Sequence, residues 1–216
     1  MCQLNLPGGL LGMESSEGSD RRHTLKAMTG LVYRQRLDLI VHFHREMDGL
    51  IQSQELPPDH KAAERVRRAL ERYRAHHNRN TLLQMISHLE WMLALSSRRP
   101  EVKQGPGSLR DGLLKRYKLV LDSIGVQVGK LNGWPVLCDA VTVRHCLLHA
   151  NGQVRFMEDP SEVEDCTVRH PEGLSLERGF LRVEPPFLEA VLEAIRELQQ
   201  KVLGGLGEVI DDWSES

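Results

Sequence analysis

The sequence predicts a mainly α fold, a bundle of about five helices with a short β-hairpin inserted before the last one. Three observations predict it. Apolar residues recur every three or four positions along five separate stretches, which is the period of one helix face. Pro57-Pro58, Gly105-Pro106-Gly107 and Pro185-Pro186 separate several of these stretches. Between the fourth and fifth stretches the pattern changes to alternation around Arg178-Gly179, the signature of a hairpin. A chain of 216 residues is enough for one sizeable domain or two small ones, and 40% hydrophobic with 27% charged residues is ordinary for a globular protein. Such a domain buries roughly 70% of its unfolded surface and needs no disulfide or metal to fold.

The first helix is expected from about Thr24 to Gln54, with Met28, Val32, Leu39, Phe43, Met47 and Leu50 as its apolar stripe, and Pro57-Pro58 as its stop. Asp59 is the expected N-cap of a second helix that runs from about His60 to Ser97. Ala63, Val66, Leu70 and Tyr73 form its first stripe, and Leu82, Ile86, Leu89 and Leu93 its second. His76 to Asn80 lies between them, either as a break or as a polar turn of one continuous helix. Ser108 to Asp111 resembles a capping box and opens a third helix through Leu109, Leu113, Tyr117, Leu121 and Ile124, with Gly125 as its stop. Trp134-Pro135 opens the fourth, where proline suits the first turn, and Asn151-Gly152 follows it. Gln153 to Met157 reads as a short strand and Glu158 to Asp165 as a loop. Leu174 to Val183 reads as the hairpin. Phe187, Val191, Ile195, Leu198 and Val202 are the stripe of the last helix, with Gly204-Gly205 as its end.

The expected organisation is a leader at 1–23, disordered by its Gly/Ser/Glu content, a single helical domain at 24–204, and a flexible acidic tail at 205–216. The leader lacks the basic start and apolar core of a signal peptide, and Met13 and Met28 are alternative starts. No stretch reaches the ~18 apolar residues of a membrane helix. Four cysteines, Cys2, Cys138, Cys146 and Cys166, show no CxxC spacing, so the expected compartment is reduced and cytoplasmic. A net charge of −2 gives no whole-molecule attraction to nucleic acid. Any such attraction must be local. From Asp59 to Arg99 nine Lys/Arg stand against four Asp/Glu, a local excess of +5. It reads either as a solvated helix face or as a strip that tracks an RNA backbone, with Arg68, Arg72 and Arg79 as candidate RNA contacts.

The most informative stretch is Val143-Arg144-His145-Cys146-Leu147-Leu148-His149-Ala150-Asn151-Gly152. On an ideal helix Arg144 and His149 are about 140° apart, so they flank a groove rather than share a face. Four readings compete. In the first, Arg144 pairs with a carboxylate, His145 is surface, and His149 sits where a helix C-terminus favours cations. In the second, His145, His149 and Cys138 offer a metal an N/N/S set, with Cys166 and His170 downstream, but no full ligand spacing is matched. In the third, Cys146 is a nucleophile, supported only by adjacency to histidine. In the fourth, the set cleaves a phosphodiester. Histidine titrates near neutrality and can move the protons, and arginine offers a permanent planar donor set to the phosphate, with no metal or cofactor needed. That chemistry requires RNA, whose 2′-hydroxyl is the nucleophile.

Arg144-His145-Cys-Leu-Leu-His149 followed by Ala-Asn-Gly resembles the Arg-polar-x-x-x-His motif of the HEPN superfamily, which also lies at the end of a late helix. The flanks are similar too. Ser87-His-Leu-Glu-Trp-Met-Leu93 resembles an early core helix, Leu113 to Gly125 the helix after it, and Gly173 to Leu203 a closing hairpin and last helix. The likeness spans roughly residues 70–203. It implies a helical bundle that forms a homodimer and, in many members, a metal-independent endoribonuclease serving as a toxin or phage-defence effector. By that resemblance His149 is the acid/base, Arg144 the phosphate stabiliser and His145 the polar second position. Two protomers then line a shared cleft. Other members are non-catalytic modules that bind RNA, a nucleotide or a partner protein. No nucleotidyltransferase signature is present, so the antitoxin of a toxin of this kind would be a separate protein.

Overall fold

The computed structural model describes residues 14–108 and 112–207. The chain forms α1 (Glu14–Gln52), α2 (His60–Ser96), α3 (Leu113–Ser123), α4 (Trp134–His149), α5 (Pro160–Arg169), an antiparallel hairpin of β1 (Leu174–Glu177) and β2 (Phe180–Val183), and α6 (Pro185–Gly205). The fold is mainly α with the hairpin before the last helix, as expected, and the described residues hold six helices rather than about five. None of these is long and apolar enough to cross a membrane. The core sits where α2, α4 and α6 pack on one another, with α1 along α2. Leu82, Ile86, Leu89 and Leu93 of α2 meet Leu137, Ala140 and Val143 of α4 and Val191, Ile195 and Leu198 of α6 there, all fully buried.

Helix α2 is continuous through His76–Asn80. The polar turn has partners: His77 stacks on His44 of α1 with ring centroids 4.8 Å apart, and the Asn78 side chain donates to the Val183 carbonyl at 3.0 Å. Asp59 caps the helix by accepting from the Ala62 amide at 2.7 Å. The hairpin turns on Arg178 and Gly179, both at positive φ (52° and 80°), as a two-residue turn matched to strand twist requires.

Several expectations are corrected. Helix α1 begins at Glu14, so residues 14–23 of the expected leader are helical, and residues 1–13 lie outside the described residues. The face of α1 that packs is Tyr33, Leu37, Val41 and Ile51. Val32, Leu39, Phe43 and Leu50 of the expected stripe are exposed, and the side chain of Met28 lies outside the described residues. The helix carries apolar residues on two faces, and periodicity does not choose between them. Gln153–Met157 is no strand. Val154–Phe156 forms a 3₁₀ turn, and only Gln153 bridges to Phe180. The expected loop at Glu158–Asp165 is largely α5, capped by Asp159, which accepts from the Ser161 amide at 3.0 Å, and opened by Pro160. Most of the expected capping box before α3, residues 109–111, lies outside the described residues, as do residues 208–216 of the acidic tail. Its first residues belong to the body: Gly205 ends α6 against Ile124, and Leu206 is buried.

Candidate functional site

Helix α4 carries the motif. Gly133 at its N-cap has no side chain to offer, and Glu197 of α6 supplies the missing acceptor to the amides of Asn132 (3.1 Å) and Gly133 (2.7 Å). At the other end the amides of Ala150 and Gly152 both reach the Cys146 carbonyl at 3.0 Å, with Asn151 and Gly152 at positive φ (50° and 78°). Arg79 of α2 completes this end. Its guanidinium donates to the Leu147 carbonyl at 2.5 Å and to Asn151 Oδ1 at 2.9 Å. The hairpin is stitched to the same loop through Leu181 N to Gly152 O (2.8 Å) and Val154 N to Gly179 O (3.1 Å).

Leu137, Ala140, Val143, Cys146 and Leu147 face inward, so Arg144, His145 and His149 are what the motif offers outward. His145 and His149 are exposed, one turn apart, with ring centroids 4.6 Å apart. Arg144 turns the other way. Its guanidinium lies 3.6 Å from one oxygen of Glu90, while Arg116 of α3 donates to the other oxygen at 3.0 Å. Two arginines thus share one carboxylate, which leaves one positive charge in excess, and Nε of Arg144 is buried with no hydrogen-bond partner among the described residues. The structure therefore brings His145 and His149 together and places Arg144 on a different face, with no hydrogen bond, ion pair or ring contact to either. The Glu90–Arg144 pair also realises the carboxylate pairing open at the sequence level. Each large aliphatic side chain that anchors α4 contributes roughly 1.5–3 kcal/mol by burial, whereas a partly exposed ion pair contributes about 0–1 kcal/mol. Packing, not the Glu90 pair, holds the helix.

The other candidates divide. Arg68, Arg72 and Arg79 all line one groove between α2 and the hairpin. Arg68 pairs with Glu64 at 2.9 Å. Among the described residues no three His, Cys, Asp or Glu converge to hold a metal. Cys146 is buried, and burial pushes its thiol up, the wrong direction for a nucleophile. Cys166 and His170 belong elsewhere. They surround Asp139, which takes Arg169 at 2.7 Å and His170 at 2.9 Å. Burial pushes the Asp139 carboxyl up, but the bonds from Arg169 and His170 outweigh it and hold the carboxyl below its ordinary value. Burial, and then Asp139, push the Cys166 thiol up to about 12. This cluster ties α4 to α5.

Sequence reasoning did not find Glu90, Arg116 or Asp139 as partners, because nothing in spacing links Glu90 to Arg144 or Asp139 to Arg169. Arg178, Phe180 and Arg182 were legible as alternate positions of a hairpin, but not as the wall facing Arg72. No family model, curated protein or solved structure matches the chain.

Proposed function

We propose that the chain is a metal-independent endoribonuclease of the HEPN type that acts on single-stranded RNA as a homodimer. The observation that carries this reading is the exposed His145–His149 pair at the end of a buried helix whose neighbouring Arg144 is only partly neutralised. One His149 takes the proton of a ribose 2′-hydroxyl as its oxygen attacks the adjacent phosphorus. The partner subunit's His149 gives a proton to the departing 5′-oxygen. Arg144 stabilises the charge that builds on the phosphate. The products are a 2′,3′-cyclic phosphate and a 5′-hydroxyl. Because Arg144 and His149 occupy different faces of α4, a second copy of this helix supplies the missing wall. A toxin or phage-defence role, with its antitoxin a separate protein, belongs to this proposal only through the family resemblance.

The test is cleavage of labelled RNA by the purified protein in EDTA. His149→Ala is expected to lose ~10²–10⁴ in rate and Arg144→Ala ~10²–10³, with helicity intact. Undiminished cleavage by either folded variant overturns the assignment. A second reading, a non-catalytic RNA-binding module, is favoured by the Glu90–Arg144 pair that already occupies the arginine, and binding without cleavage would select it.

A further inference from the structure

An open groove of about 780 Å³ runs between α2 and the hairpin. Arg68, Arg72, His76 and Arg79 line one side at spacings of four, four and three, one face of α2. Arg178, Phe180 and Arg182 line the other. Five arginines stand against Glu71 and Glu177, a net +3 on a chain whose overall charge is −2. Glu64 occupies Arg68, Glu177 occupies Arg182, and Arg79 is committed to the end of α4. Arg72 and Arg178 are exposed, and neither has an ion-pair or hydrogen-bond partner among the described residues. Phe180 is 43% exposed and shares a strand face with Arg182, while Leu181 and Val183 between and beyond them are buried.

We propose that this groove is a docking track for single-stranded RNA, a proposal that rests on the ribonuclease reading and assigns its substrate a surface distinct from the motif residues. A single strand presents regularly spaced phosphates with flat π-faces between them, and the groove answers with free guanidinium groups on both walls and an exposed ring on one. Arg72 and Arg178 take phosphates and Phe180 stacks a base. A duplex hides its base faces and gains nothing from the ring. The groove reaches the C-terminal end of the motif helix, where Leu147, Asn151 and Gly152 line it and Arg79 bonds to Leu147 and Asn151, while His149 is not part of its lining.

The experiment is fluorescence titration of the full chain with a short labelled 2′-O-methyl RNA, which lacks the nucleophilic hydroxyl, across a salt series. The double variant Arg72→Ala/Arg178→Ala should bind at least ~10-fold more weakly, and its log–log salt slope should shrink by about 1.4, roughly 0.7 for each lost single-strand phosphate contact. Phe180→Ala should weaken binding by ~5- to 100-fold with the slope unchanged. Phe180→Leu, which keeps apolar bulk, should behave in the same way. Failure of the unmodified chain to bind, equal binding of duplex, or unchanged binding by the Phe180 variants or the double arginine variant overturns the proposal. The two readings fail separately. Groove-dependent binding by a chain that never cuts unmodified RNA removes the ribonuclease and keeps the track. His149-dependent cutting that groove variants perform normally removes the track and keeps the ribonuclease.

Discussion

His88 shows what burial does to a single residue. The ring is fully buried in α2, and neither nitrogen has a hydrogen-bond partner among the described residues. Desolvation, and then the Arg36 charge, push its pKa down from 6.5 to about 4. Between those two values the unfolded chain binds the proton and the folded chain does not, so stability falls as pH drops from 6.5 towards 4. The accumulated loss is roughly 3 kcal/mol. His88→Leu should remove that dependence, and denaturant midpoints of variant and parent should converge less at pH 5 than at pH 8, with the variant ahead at pH 5. Parallel midpoints across the range would show that His88 is not the titrating group. Asp139 acts in a different window. Its folded pKa is depressed, so its contribution is fully present above its unfolded value and is lost only as pH falls through the folded one.

Among the elements, α4 is positioned from both ends by other helices. Glu197 of α6 caps its N-terminus and Arg79 of α2 caps its C-terminus. At the N-terminus the approach is close: a Cβ on Gly133 would lie 2.6 Å from the Ala194 Cα, so only glycine lets α4 start this near α6. Glu197→Ala would leave two amides of a helix start without their charged acceptor. It should cost about 1–3 kcal/mol by chemical denaturation. An unchanged midpoint would mean that solvent replaces the carboxylate without loss. This dependence was not legible in the sequence, because nothing in spacing links Asn132 or Gly133 to Glu197, 65 and 64 residues away. The αL end at Asn151-Gly152 and the Pro135 start were legible, because both are local backbone requirements.

For the whole molecule, the proposed mechanism needs two copies of α4 face to face. The outward face that would meet is His145, Leu148 and His149, and Leu148 is 46% exposed, a large apolar side chain on the surface beside two histidines. Leu148→Glu should therefore shift the protein from dimer to monomer in sedimentation and remove RNA cleavage, with its helical spectrum unchanged. A Leu148→Glu protein that stays dimeric and cuts RNA would place the second wall of the site elsewhere.

By itself the sequence determined the helical class, the positions of α2, α4 and α6, the hairpin turn at Arg178-Gly179 and the motif at the end of a buried helix. All of these follow from interactions within a few residues, in which period, caps and glycine geometry act locally. Only the tertiary structure decided which face of α1 packs, that Glu90 meets both Arg144 and Arg116, that Asp139 gathers Arg169 and His170, and that Arg72 faces Phe180 across a groove. Each of those outcomes depends on elements far apart in sequence meeting in space. The rule of spacing that places residues on one helix carries no information about which neighbour that helix will meet.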